Sequence, residues 1–243
     1  MTQLLSWISD ADLESCVRQV VNKGLQGIQK SQKDIARNGL DPFSALFDAS
    51  LQGITLSEWL VSEQRRQAQK TLQNALGHFH QSILSRINGC YIPDENFIDL
   101  VNDERQIVAE IKNKYNTVKG SNLKDVYDEL NQAINGKTSK YRGYTAYYVT
   151  VIAAKPQRFA HPFTPSDNNS GTRKPLQERI IEIDGVSFYE LLTGVPGALN
   201  QLYQALPTTI QKVLTEQSEN SAQHSALTQD SRFLAFFAQT FAQ

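Results

Sequence analysis

The chain has 243 residues, 40% hydrophobic and 20% charged, with 24 Lys+Arg against 25 Asp+Glu. That is enough for one domain, or a small domain with a helical annex, around a buried core, and it excludes a collagen-like, disulfide-scaffold or wholly disordered protein. A net charge of -1 also excludes coating of nucleic acid by bulk positive charge, so any nucleic-acid site has to be a local basic patch.

The N-terminus, Met1-Thr2-Gln3-Leu4-Leu5-Ser6-Trp7, has neither the basic segment nor the apolar stretch of a signal peptide. No run approaches the 18 or so apolar residues of a membrane span, and the expected location is the cytoplasm. Cys16 and Cys90 have no metal-binding spacing and form no disulfide framework. They are expected to be ordinary reduced thiols.

Ser9 can cap a helix from about Asp10, with Leu13, Cys16, Val17, Val20 and Val21 on one face. Asn38-Gly39 and Asp41-Pro42 then punctuate the chain. Thr55-Leu56-Ser57-Glu58 has capping-box spacing and opens a long helix through Trp59, Leu60, Leu72, Leu76, Phe79, Ile83 and Leu84, expected to stop near Asn88-Gly89. Phe97–Val101 and Ile107–Lys112 read as strands of a hairpin joined by Asn102-Asp103-Glu104-Arg105. Asn116–Asn122 reads as a loop and Leu123–Ile134 as a helix ended by Asn135-Gly136. Tyr144–Ala154 is the best candidate for a central strand, with Tyr147 and Tyr148 on opposite faces. Lys155–Pro175, rich in Pro, Asn, Ser and Gly, reads as a long loop of the kind that is functional or disordered. Arg179–Ile183 resumes as a strand turned by Asp184-Gly185. Helices follow over Ser187–Leu192, stopped by Gly194, over Ala198–Leu206, ended by Pro207, and over Thr208–Gln217. A polar Ser/Gln/His spacer and an apolar tail with Phe233, Leu234, Phe236, Phe237 and Phe241 finish the chain.

The chemistry concentrates in the hairpin. Ten residues separate Asp99 from Glu110-Ile111-Lys112. Side chains alternate along a strand, so Glu110 and Lys112 share a face, and Asp99 on the neighbouring strand can lie opposite them. Charge inside apolar strands is expensive unless paired or bound to a metal. Two hard oxygen donors suit Mg²⁺, and an adjacent lysine can orient an attacking water and stabilise developing negative charge. The plain alternative is a Glu110–Lys112 salt bridge.

In layout the chain resembles the PD-(D/E)XK nuclease core, and more narrowly the type II restriction endonucleases that recognise GGNCC. The likeness runs from about Glu63 to Leu206. It is carried by Arg66-Gln67-Ala68-Gln69-Lys70, Gly77-His78-Phe79-His80-Gln81, Phe97-Ile98-Asp99-Leu100-Val101, Glu110-Ile111-Lys112-Asn113-Lys114 with Asn116-Thr117-Val118-Lys119-Gly120, and Ile183-Asp184-Gly185-Val186-Ser187-Phe188-Tyr189. The resemblance implies metal-dependent cleavage of both strands of a short DNA site, leaving 5′-phosphate and 3′-hydroxyl ends. Asp99 and Glu110 would bind Mg²⁺, and Lys112 would act on the water side. The pattern departs in one place, because Ile98 rather than Pro precedes Asp99. A literal Pro93-Asp94 lies five residues earlier, but it falls in a turn, and Asp99 in its apolar strand is preferred.

Other candidates are weaker. Glu63 on the long helix is an outer-sphere carboxylate or a solvated helix residue. His78 and His80, two apart, do not share a helical face; His80 is a candidate backbone or DNA contact and His78 a surface residue. There is no phosphate-cradling Walker loop, so no nucleotide cofactor is expected. Basic residues gather after the hairpin (Lys112, Lys114, Lys119, Lys124, Lys137, Lys140, Arg142) and around the long loop (Lys155, Arg158, Arg173, Lys174). They are either ordinary solvated cations or phosphate contacts. Lys114, Lys119, Arg158, Arg173 and Lys174 are the preferred DNA contacts, with arginine suited to guanine. Asp125, Asp128 and Glu129 are expected to face solvent and Asp184 to be a turn residue.

The expected fold is α/β, a restriction-endonuclease-like core with a mixed central sheet flanked by helices. Residues 1–88 form a helical region that packs on the core and aids dimerisation. Residues 89–206 form the catalytic core, with a DNA-recognition loop at about 155–175, and 207–243 a helical tail. The expected partners are double-stranded DNA, a second copy of the chain and, functionally, a cognate DNA methyltransferase. A repair or recombination nuclease on the same core, or a DNA-binding protein with an inactive core, are the alternatives.

Overall fold

The computed structural model describes residues 3–34, 40–94, 97–118, 120–167, 170–217 and 232–241. Helix α1 (Asp10–Asp34) starts as expected, with Ser9 Oγ accepting from the Asp12 amide at 3.0 Å. Asp41-Pro42, read from sequence as punctuation, instead opens a helix, α2 (Pro42–Gln52). The Asp41 carboxylate accepts from the Phe43 and Ser44 amides, and proline takes the first helical position, where no amide donor is needed. Helix α3 (Leu56–Leu84) has both hydrogen bonds of the Thr55–Glu58 capping box. It ends four residues before Asn88. There i→i+3 bonds from Arg86 to Ile83 and from Ile87 to Leu84 tighten the chain, and Ile87 is buried.

A six-stranded mixed sheet follows. Its strands are β1 (Cys90–Tyr91), β2 (Leu100–Asn102), β3 (Ile107–Lys114), β4 (Thr145–Ile152), β8 (Ile180–Asp184) and β5 (Ala160–Pro162), in that spatial order. β3, β4 and β8 are mutually parallel, and β1, β2 and β5 run antiparallel to their neighbours. The segment expected to be one long loop thus supplies the edge strand β5, together with a small separate hairpin, β6 (Ser166–Asp167) with β7 (Thr172–Arg173). Exposed Ala160-His161-Pro162 has little strand character of its own, and its pairing is given by the open edge of β8.

Helix α4 (Leu123–Asn135) covers one face of the sheet: Val126, Leu130 and Ile134 pack with Val108, Ala146 and Ile180. On the other face Ile107, Ala109 and Ile111 pack in one core with Leu13 and Val17 of α1, Phe79 and Ile83 of α3, and residues of α5 (Gly185–Thr193) and α6 (Ala198–Gln217). Pro207 does not end a helix; α6 runs through it. A mid-helix proline costs about 3 kcal/mol, but buried Leu199, Leu202, Ala205 and Val213 tie both halves to the same core. The apolar tail forms α7 (Arg232–Thr240), with Phe237 against Tyr203. The polar spacer lies outside the described residues. Among those described, no helix is long and apolar enough to cross a membrane, and both cysteines are free thiols.

One glycine is demanded by packing. A Cβ on Gly185 would fall 2.7 Å from Val151 Cα, so only glycine lets α5 begin flush against β4.

Candidate active site

The site is built on β3. Residues 108, 110 and 112 face α4, while 107, 109 and 111 face the larger core. Asp99 is pinned from both ends by this strand: its amide donates to Ala109 O at 2.9 Å, and its carboxylate accepts from the Ile111 amide at 2.7 Å. It lies just before the paired part of β2, one residue short of the expected strand position. The Glu110 carboxyl adjoins that of Asp99 and is 8% exposed as a residue. Lys112 Nζ donates to Glu110 Oε1. The hairpin therefore brings together the three residues picked from sequence. Asp94 of the literal Pro-Asp pair is exposed.

Burial first, and the Asp99 charge second, push the Glu110 carboxyl up to about 8, against the lowering effect of Lys112. Burial works to lower the Lys112 ammonium, but Glu110, Asp99 and Glu129 raise it on balance. The two shifts oppose each other, since a protonated Glu110 would withdraw the charge that raises Lys112. The Glu110 shift is the firmer one, because burial and Asp99 act on it whatever Lys112 does. The second oxygen, Oε2, is buried and has no hydrogen-bond partner.

A buried oxygen left unsatisfied beside a second carboxylate is an arrangement that a hard cation would relieve. The residues present therefore fit a divalent metal, held by Asp99 and Glu110. No group of three or more metal-binding side chains occurs among the described residues, so such an ion would keep water or substrate oxygens as further ligands.

Sequence reading missed the neighbours that β4 and β8 supply. Across the parallel register Glu110 pairs with Tyr148, which pairs with Glu182, and Lys112 pairs with Thr150. Tyr148, Thr150, Glu182 and His161 line a cleft of about 360 Å³ on this face. Burial raises the Glu182 carboxyl, and His161 opposes that. Alternation could have placed Tyr148 with Thr150, but register between parallel strands leaves no mark in sequence. Glu129 of α4 is exposed, as expected, and adds a small electrostatic pull on Lys112.

The other candidates are dispersed. His80 is half-buried, with its Nδ1 2.8 Å from Tyr189 Oη, and desolvation lowers its imidazole to about 4. Glu63 accepts from two guanidinium nitrogens of Arg66 at 2.6 Å and from Gln67 at 3.0 Å. Arg158 is occupied by Ser187 (2.9 Å) and Glu190 (2.5 Å), with Asp184 at 3.6 Å. Asp184 is no mere turn residue. It is a buried N-cap of α5, accepting from the Phe159 and Ser187 amides at 2.8 and 2.9 Å. Lys174 bridges to Asp128 at 2.8 Å and Asp167 at 3.7 Å, while Asp128 faces solvent as expected. Arg173 is exposed, with one bond to Thr164 O at 3.1 Å. Lys114 is exposed at the end of β3. Lys119 lies outside the described residues.

A parallel three-strand centre with an antiparallel hairpin carrying acids and a lysine is a restriction-endonuclease-like fold. The comparisons with known proteins narrow this. Residues 5–215 match the Eco47II restriction endonuclease family. The chain is 45% identical to the type II restriction enzyme Eco47II of Escherichia coli over 215 residues, which is 88% of this chain and 89% of that one. It is 32% identical to the type II restriction enzyme Sau96I of Staphylococcus aureus over 213 residues, 85% and 79% of the two chains. The chain belongs to the Eco47II restriction endonuclease family of type II restriction enzymes, which are site-specific deoxyribonucleases.

Proposed function

We propose that this protein hydrolyses both strands of double-stranded DNA at a short, interrupted, GC-rich palindrome, GGNCC, in a Mg²⁺-dependent reaction, and works as a homodimer beside a methyltransferase that protects the same site. The observation that carries the chemistry is the buried, unpartnered Glu110 oxygen beside Asp99, with Lys112 on the same strand face. Asp99 and Glu110 would hold Mg²⁺, which when bound would supply charge neutralisation at the phosphate and a more acidic water. Asp99, fixed by two backbone bonds of β3, positions the pair. Lys112, on the same strand face, would hold the attacking water and take up negative charge that develops on phosphate oxygens. Exposed Lys114 and Arg173 contact the DNA backbone, and Lys119 remains a candidate on sequence grounds alone. A palindrome is most economically read by a two-fold dimer in which each site cuts one strand.

The test is incubation of the purified protein with a long plasmid and Mg²⁺. Discrete fragments ending at GGNCC are expected. A smear would replace this reading with a non-specific nuclease of the repair or recombination kind. Intact DNA with a gel shift would replace it with an inactive DNA-binding core.

A further inference from the structure

Helix α2 is amphipathic in the wrong sense for a monomer. Toward the protein it presents only alanines: Ala45 and Ala49 are buried against Trp59 of α3, and Asp48 accepts the Trp59 indole N–H at 2.9 Å. Toward solvent it presents Phe43, Leu46, Phe47 and Leu51, 74%, 55%, 73% and 85% exposed. These four sit at i, i+3, i+4 and i+8, one continuous stripe of helix.

Folding normally turns large apolar side chains inward, so a helix that buries its small residues and displays its large ones is built for a partner. The exposed surface of these four side chains is on the order of 500 Å². That lies in the upper part of the range of the largest monomer patches, about 300–600 Å², which are often functional, and is more than half of the roughly 800 Å² that each partner of a standard interface buries.

We infer that the outer face of α2 is the contact through which two copies of this chain join. The chemistry of the face selects the partner. The α2 sequence contains no lysine or arginine, and its one charged side chain is already engaged by Trp59. An interfacial membrane helix would carry a cationic polar face. A neutral apolar stripe is instead self-complementary: under a two-fold axis Phe43, Leu46, Phe47 and Leu51 meet the same residues of the second copy without burying a charge. This rests on the homodimer reading above and names the surface that carries it.

Sedimentation velocity of the full chain without DNA tests it. The wild type should sediment as a dimer at low micromolar concentration. Phe47→Asp with Leu51→Asp should sediment as a folded monomer, its circular dichroism unchanged. Should the double aspartate variant fail to fold, Phe47→Ala with Leu51→Ala keeps helix propensity and should weaken dimerisation at least about tenfold. A folded aspartate variant that remains dimeric, an alanine variant with unchanged dissociation constant, or a monomeric wild type overturns the inference. So does a wild type that co-sediments as monomer with phosphatidylglycerol vesicles. The cleavage assay is independent. A wild-type dimer that α2 substitutions dissociate, but that never cuts plasmid, breaks the endonuclease reading alone. A monomer that cuts at GGNCC breaks this inference alone.

Discussion

Strand β3 and the segment from 155 to 175 were both marked as functional by their charged residues, and they use charge in opposite ways. On β3 the folded chain leaves charge incompletely satisfied. Two carboxyls adjoin, one of their oxygens has no partner, and one lysine serves them both. In the 155–175 segment Arg158 and Lys174 are paired within the protein. Arg158 ties the segment to α5 through Ser187 and Glu190, and Lys174 ties it to α4 through Asp128. The charges that a fold fails to satisfy are the candidates for chemistry, because native structures otherwise pair what they bury. The satisfied ones hold the scaffold.

Five substitutions sharpen or break this contrast. The largest effect is expected from Lys112→Ala, which should lower plasmid cleavage by about 10²–10⁴-fold while a gel shift on the same DNA persists. Wild-type cleavage by that variant would remove Lys112 from the site. Loss of cleavage in Asp94→Ala with retention in Asp99→Ala would move the metal carboxylate to the Pro93-Asp94 turn.

Next is Glu110→Gln. A carboxyl whose folded value, about 8, exceeds its unfolded value binds more protons in the native state between about pH 4.5 and 8. Its contribution to stability is therefore full below that window and is lost as pH rises through it. Without metal, Glu110→Gln should raise the unfolding temperature by about 5 °C at pH 8 and by much less at pH 5, while abolishing cleavage. Mg²⁺ should stabilise the wild type at pH 8 and not the variant. An unfolding temperature that the substitution lowers at pH 8 would show Glu110 to be a structural ion-pair partner.

The smallest effect concerns Arg158→Ala. Calorimetry should show a fall of about 2–5 °C, with an unchanged dependence of DNA affinity on salt. A phosphate contact would instead reduce that salt slope by about 1, and such a result would return Arg158 to the DNA interface.

How much of this could be read from sequence depends on how local the cause is. The caps at Ser9 and Thr55 and the Asp99/Glu110/Lys112 hairpin are set by residues within about a dozen positions of each other, and all of them were legible. Where one local signal has two outcomes, the reading failed. Asp41-Pro42 marks a turn or a helix N-terminus equally well, and Pro207 stops a helix only if the core does not hold both halves. Most distant of all are the partners of the loop cations. Asp128 lies 46 residues before Lys174 and Glu190 lies 32 after Arg158. The same residue types that would grip phosphate grip these carboxylates, so sequence could not tell the two uses apart.

The β2–β3 hairpin also separates the making of this centre in time. Asp99 meets Glu110 by closing a loop of about ten residues, an event of the microsecond class. The surroundings that desolvate Glu110, β4 and α4, arrive by pairing over longer stretches of chain, which is slower. The spacing of the two acids is thus fixed early in folding. The strained electrostatics that would make them useful appear only when the sheet is closed, so a nascent chain carries the outline of the site before it carries its reactivity.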